Sequence, residues 1–207
     1  MYQQNNQPQS QETNSLCGVA GDHRQKQDSG EVRSQASSLT AAVRAKAEGF
    51  FQRGEFFCSE AVIHTINELL GWPFPAEVTK LASSFPIGIG KSGCLCGAVS
   101  GGAMALGMVY GRNHGEAMHG KMFPVAAGLH DHVKTVYKST CCRVLVKGYD
   151  FGSPERKAHC VGITGEVAAW VAARLAEDPE VAARMSLEGV TPESLVDAAA
   201  TASENPA

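Results

Sequence analysis

Cysteines are the residues of this chain best suited to carry chemistry, and four of its seven stand at signals for the start of a helix. Cys58 lies in FFCSEAV, Cys94 and Cys96 lie in SGCLCGAVSGG, and Cys142 lies in STCCRVL. The first turn of a helix offers unpaired backbone N–H groups and the positive end of the helix dipole, which favour a thiolate. Because thiolate is the form that binds metal ions or attacks disulfides, the sequence predicts a function in sulfur chemistry.

Two short cysteine clusters refine this prediction. Cys94 and Cys96 are separated by one residue, too short a ring for a relaxed disulfide, but both sulfurs can face one metal ion or cluster. Cys141 and Cys142 are adjacent, and neighbouring residues of a helix point about 100° apart, so only one of the two need face such a site. The predicted metal ligands are Cys58, Cys94, Cys96, Cys142 and Cys160.

Glycines surround the first cluster. Gly88, Gly90 and Gly93 precede it and allow the loop to adopt positive φ. Further glycines recur in the apolar run that follows, although each costs about 1 kcal/mol relative to alanine inside a helix. Such a helix makes sense where another backbone or a cofactor approaches closely, and tight packing without a ligand is the alternative. The glycines predicted to contact a cofactor are Gly93 and Gly97.

Other polar side chains are weaker candidates. His64 and His159 could add a metal ligand, and Lys91 could lower the pKa of a nearby thiol or compensate the charge of a cluster. His130 and His132 lie in one predicted helix but on different faces, which argues against a joint metal site.

Apolar residues recur at helical spacing, and no alternating β-branched runs occur, so the predicted fold is all-α. We expect a compact bundle of five or six helices around the glycine-rich helix. The first two predicted helices begin at Ser37–Ser38 and at Ser59, the third covers 75–84, and the fourth, glycine-rich helix follows Cys96. The fifth covers 115–138 with a bend at Pro124, the sixth covers 143–147, the seventh follows Cys160, and the last covers 191–200.

Composition indicates one globular domain with tails: the chain has 207 residues, of which 43% are hydrophobic, and a formal net charge of -3. Residues 1–37 are predicted to form a disordered polar tail containing Cys17, residues 38–176 the cysteine-rich domain, and residues 177–207 a peripheral helix and tail. No basic stripe predicts nucleic-acid binding, and no run approaches the roughly 20 apolar residues that span a membrane. The clustered, odd-numbered cysteines and the missing signal-peptide pattern favour a cytoplasmic location.

The order of the cysteines resembles the redox-active family named for its C-GCAxxG-C-C pattern. The likeness extends over about residues 40–175 and rests on the segments CSEAV, CGAVSGG followed by LG, and CCRVLVKGYDF, and on a later cysteine. It implies that the family's own cysteines here are Cys58, Cys96, Cys142 and Cys160. Cys94 and Cys141 are then additional thiols.

The same domain occurs in split-Soret cytochromes, which resemble this chain in the SGCLCG segment and carry an iron–sulfur centre besides their haems. Those relatives are dimers, and the small-residue face of the glycine-rich helix allows close helix approach, so a homodimer is expected. The chain has no CxxCH sequence, the haem attachment signal, and covalent haem is therefore not expected.

Three function classes follow. The first is an electron-transfer protein that holds an iron–sulfur cluster on its cysteines and serves a redox partner that the sequence does not identify. The second is a metal-free thiol–disulfide oxidoreductase or redox sensor. The third is a zinc or copper(I) binding protein.

Overall fold

The structure is a computed structural model that describes the backbone of residues 24–186 and the side chains of residues 37–186. Within those residues it is helical and contains no strand, which confirms the all-α prediction. The helices are α1 Arg24–Gln52, α2 Cys58–Leu69, a 3₁₀ helix Ala76–Ala82, α3 Pro86–Ile89, α4 Gly97–Tyr110, α5 Met122–Tyr137, α6 Cys142–Leu145, α7 Pro154–Ala176 and α8 Pro179–Ala182.

Three predicted helix starts were wrong. α1 begins at Arg24 instead of Ser37, so residues 24–37 of the predicted disordered tail belong to a helix. α5 begins at Met122, which places Pro124 in its first turn, where a missing backbone N–H breaks no intrahelical bond. Residues 1–23, with Cys17, and the predicted helix 191–200 lie outside the described residues.

The third correction concerns α7, which begins well before Cys160. Ser153 caps this helix, since its hydroxyl accepts a hydrogen bond of 3.2 Å from the backbone N–H of Arg156, and Pro154 occupies the first turn. Both residue types favour a helix start. Cys160 therefore lies inside a helix and not at its N-terminus.

Five helices supply the core. α7 contacts α1, α2, α4, α5 and α8, whereas α4 contacts α2, α3, α5 and α7. Their fully buried side chains include Val43, Val62, Ile66, Leu106, Leu129, Val133, Val167 and Val171. A polar network also joins three of these helices: Glu166 of α7 pairs with Arg44 of α1 and lies 2.7 Å from His132 Nε2 of α5.

The glycines of α4 allow other chain segments to come close. A Cβ atom at Gly101 would lie 2.5 Å from the carbonyl oxygen of Ser59 in α2, and one at Gly102 would lie 2.8 Å from Leu129 Cδ2 and Val167 Cγ1. The small-residue face of α4 is therefore filled by contacts within the chain. A homodimer remains a prediction, but this face does not supply its interface.

The loop before α4 has a left-handed backbone. Ile87, Gly88, Ile89, Gly90 and Lys91 all have positive φ, between 52° and 72°. Glycine adopts this conformation freely, whereas a β-branched isoleucine there is a genuine outlier. Such strain persists only where the surroundings enforce it, and it is common beside functional sites.

Alanine substitution at two glycines of α4 tests this packing. Gly101→Ala should lower the free energy of unfolding by about 1–3 kcal/mol, because its methyl group meets the backbone of α2. A Cβ atom at Gly107 would meet no other segment within 4 Å, so Gly107→Ala should raise the free energy of unfolding by up to about 1 kcal/mol through helix propensity. Urea unfolding measures both changes, and equal effects at the two positions would contradict the assigned packing.

Candidate thiol site

The structure brings four of the predicted cysteines to one cavity. Cys58, Cys96, Cys142 and Cys160 line a cavity of about 540 Å³. Cys58 opens α2, Cys96 is the N-cap of α4, Cys142 opens α6, and Cys160 lies in α7. Residues far apart in the sequence thus present four thiols to one volume.

Cys58 and Cys96 meet because α2 and α4 begin side by side. A Cβ at Gly97 would lie 2.5 Å from Cys58 Sγ and 3.1 Å from the carbonyl oxygen of Phe85, so only glycine leaves room for this sulfur. The start of α2 is fixed by Glu60, whose carboxylate accepts a 2.8 Å hydrogen bond from the backbone N–H of Phe57. Gly97 also lines the cavity.

Cys142 is positioned by the left-handed loop. A Cβ at Gly88 would lie 2.9 Å from Cys142 Cβ and would overlap the backbone nitrogen of Cys94. The backbone N–H of Arg143 donates to the carbonyl oxygen of Gly93 at 2.9 Å, which ties the start of α6 to the same loop. Gly93 thus acts through its backbone and does not line the four-cysteine cavity.

Cys160 shares one face of α7 with a cation that the sequence analysis missed. Arg156 lies one turn before Cys160, lines the same cavity, and lowers the pKa values of both Cys142 and Cys160 against the larger effect of burial. The sequence feature that could have revealed Arg156 is its i, i+4 spacing from Cys160. This spacing places the two side chains on one face once the helix is known to begin at Pro154. Lys91, the predicted cation, lines a neighbouring groove instead.

Apolar and aromatic side chains form much of the remaining cavity wall. They come from the end of α1, the α1–α2 connection, α3, α6, the α6–α7 connection and α7, and they include Phe51, Phe56, Phe57, Ile87, Leu145, Phe151 and Ile163. Cys96 and Cys142 are buried, and Cys58 and Cys160 are half-buried. The four sulfurs therefore face a volume with few polar groups.

This apolar setting reverses one expectation from the sequence. Burial raises the pKa of Cys96 to about 11, although the backbone N–H groups of Val99 and Ala98 at the start of α4 act in the opposite direction. Burial likewise raises the pKa of Cys58 and of Cys160. The predicted stabilisation of a thiolate at the helix start is thus present, but desolvation outweighs it. In the metal-free protein these thiols are protonated at neutral pH.

Cys94 and Cys141 occupy a different place. Neither lines the cavity, and Cys94 is exposed. Cys141 Sγ donates to the carbonyl oxygen of Gly93, the residue before Cys94, at 3.2 Å. The backbone N–H groups of Val144 and Arg143 lower the pKa of Cys141. The structure therefore separates the six described cysteines into four around the cavity and two outside it.

Neither of the two candidate histidines, His64 and His159, lines the four-cysteine cavity. His64 packs between Phe50, Phe56 and Trp72. His159 stacks on Tyr149, and its Nε2 atom is buried without a hydrogen-bond partner among the described side chains. Across the described residues, no three His, Cys, Asp or Glu side chains lie at the spacing that one metal ion needs.

The comparison with protein families agrees with this cysteine arrangement. Residues 56–174 match the family model described as putative redox-active protein (C_GCAxxG_C_C), and the chain belongs to this family. The matched segment contains all six cysteines of the described structure. No curated protein and no solved structure matches the chain.

None of the described helices combines the length and the apolar character that a membrane span needs.

The two thiol environments predict different reactivity in the metal-free protein. Iodoacetamide at pH 7 should modify Cys141 at least tenfold faster than Cys96, because the pKa of Cys141 is lowered whereas Cys96 is buried with a pKa of about 11. Peptide mass spectrometry after timed alkylation measures both rates. In denaturant the two rates should become equal, and equal rates in the folded protein would contradict the assigned environments.

Proposed function

We propose that this protein binds an iron–sulfur cluster through Cys58, Cys96, Cys142 and Cys160 and transfers electrons. The observation that carries the proposal is that these four thiols, from four separate segments, line one largely apolar cavity. Four cysteine thiolates are the usual ligand set of such clusters. Cys94, also predicted as a ligand, lies outside this cavity and is not part of the proposed set.

The volume that the four thiols line favours a cluster over a single ion. Zinc holds each sulfur at about 2.3 Å and therefore draws its four ligands to one point. In an iron–sulfur cluster the thiolates bind more than one iron atom, so their sulfurs surround a volume. The four cysteines of this site line a cavity of about 540 Å³.

The electrostatics of the site fit an anionic cluster. Metal binding removes the thiol protons, and the helix-start N–H groups that fail to ionise the free thiols can then donate to the bound sulfurs. Cys96 lies against the N–H groups of Val99 and Ala98, and Arg156 adds a positive charge beside Cys142 and Cys160. A bound cluster would supply one-electron chemistry.

A metal-free thiol–disulfide function is the second candidate. The specific observation in its favour is that Cys94 and Cys141 lie on paired segments outside the cavity. It does not explain why four other thiols share a cavity in which burial disfavours the reactive thiolate.

Serine substitutions test the proposed ligand set. Replacement of Cys58, Cys96, Cys142 or Cys160 should reduce bound iron and acid-labile sulfide to less than about half of the wild-type content after anaerobic reconstitution, because each removes one of four thiolates. The holo protein should also lose thermal stability, since metal binding is coupled to folding. Iron and sulfide analysis, visible absorption and thermal unfolding provide the measurements.

Cys17→Ser is the matched control and should leave cluster content unchanged. A colourless wild-type protein that binds stoichiometric zinc or copper(I) after anaerobic purification would contradict the cluster. Full iron retention in all four single variants would contradict the ligand assignment.

The charge of Arg156 provides a further prediction. Arg156→Gln should lower the midpoint potential of the cluster by up to roughly 100 mV, the order expected for one unit charge about 8 Å away at an effective dielectric of about 20. A positive charge favours the reduced, more negative state, and its loss therefore disfavours reduction. Lys91→Gln is the control and should shift the potential much less, as Lys91 lies outside the cavity wall. Protein-film voltammetry measures both, and equal shifts would contradict the role of Arg156.

A further inference from the structure

Two backbone hydrogen bonds hold the loop before α4 beside the start of α6. The N–H of Arg143 donates to the carbonyl oxygen of Gly93 at 2.9 Å. The N–H of Cys96 donates to the carbonyl oxygen of Thr140, also at 2.9 Å. Cys94 and Cys141 lie between these two bonds on the paired segments. These two hydrogen bonds, one on each side of the sulfurs, therefore hold together the two segments that carry Cys94 and Cys141.

The two side chains lie on adjacent segments. Cys141 Sγ donates a hydrogen bond of 3.2 Å to the carbonyl oxygen of Gly93, the residue that precedes Cys94. Cys94 is exposed to solvent, whereas Cys141 is half-buried. An external reactant can thus reach Cys94, and Cys141 lies on the segment that is paired with it.

No other described thiol has this arrangement. Cys58, Cys96, Cys142 and Cys160 share the cavity, and neither Cys94 nor Cys141 contributes to its wall. Cys94 and Cys141, called the outer pair from here on, are therefore available for chemistry that does not involve the cavity.

We propose that Cys94 and Cys141 form a reversible dithiol–disulfide couple on the protein surface, which exchanges two electrons with an external disulfide or dithiol. This inference rests on the pairing of the two segments that carry these side chains and on the exposure of Cys94. It does not depend on which metal ion or cluster is bound by the four inner thiols, those of Cys58, Cys96, Cys142 and Cys160.

The exchange follows ordinary thiol–disulfide chemistry. Cys94 sulfur attacks an external disulfide RSSR, which forms a mixed disulfide at Cys94 and releases one thiol RSH. Cys141 sulfur then attacks the Cys94 sulfur of the mixed disulfide, forms the Cys94–Cys141 bond and releases the second RSH. Two electrons pass to RSSR, and the protons of the two cysteines leave with the two thiols.

Mass spectrometry in defined redox buffers tests the proposal. The anaerobically prepared full-length protein is equilibrated with reduced and oxidised glutathione at several ratios, alkylated and digested with trypsin. Cleavage after Lys91, Arg112, Lys138 and Arg143 yields peptides 92–112 and 139–143. We expect these peptides to become cross-linked as the oxidised fraction rises and to separate again with excess dithiothreitol.

Each peptide contains a second cysteine, Cys96 or Cys142, so fragmentation sequencing and variants assign the bond. Cys94→Ser and Cys141→Ser should each abolish the cross-link, whereas Cys17→Ser should leave it unchanged. The cross-link should form at the same glutathione ratio, within a factor of about three, in iron-loaded and iron-free protein.

Three results would overturn the proposal. The first is that both cysteines remain reduced at every glutathione ratio. The second is a cross-link that involves Cys96 or Cys142, and the third is a loss of iron in Cys94→Ser, which would make Cys94 a cluster ligand. If no variant or wild-type protein binds iron but the cross-link forms, the proposed cluster fails and the surface couple stands.

Discussion

The close approach of α2 to α4 is the constraint on which the position of the inner thiols depends. Gly97 leaves room for Cys58 Sγ, and Gly101 leaves room for the backbone of Ser59. A side chain at either position would push the starts of the two helices apart. Because Cys58 and Cys96 stand at those starts, this approach also sets the distance between two of the four sulfurs. The glycines are thus costly for helix propensity but required by packing.

Burial and the helix ends act in opposite directions on the inner thiols. Backbone N–H groups lower the pKa values of Cys58 and Cys96, but desolvation raises them more. A metal-free site of this kind holds neutral, weakly nucleophilic sulfur. A bound cluster would change the balance, since it removes the protons and leaves the same N–H groups and Arg156 to stabilise negative charge. The unfavourable setting for a free thiolate is therefore a suitable setting for a ligated one.

The outer pair shows how position in the fold, and not sequence neighbourhood, separates chemical roles. Cys94 is two residues from Cys96, and Cys141 is adjacent to Cys142, yet Cys96 and Cys142 line the cavity whereas Cys94 and Cys141 do not. The left-handed loop from Ile87 to Lys91 and its hydrogen bonds to the start of α6 produce this division. The two sets of thiols have different surroundings and are therefore suited to different reactions.

The sequence by itself determined the all-α class, the cysteine and glycine pattern of the family, and the positive φ of Gly88, Gly90 and Gly93, because these follow from local periodicity and residue type. It misplaced the start of α7, since the Ser153–Pro154 cap lies in a segment without apolar periodicity, and Arg156 was missed for the same reason. Only the tertiary structure decided that Cys160 joins three helix-start cysteines and that Cys94 does not. Those outcomes depend on helix contacts between residues distant in the chain, and the desolvation of the thiols arises only from that packing.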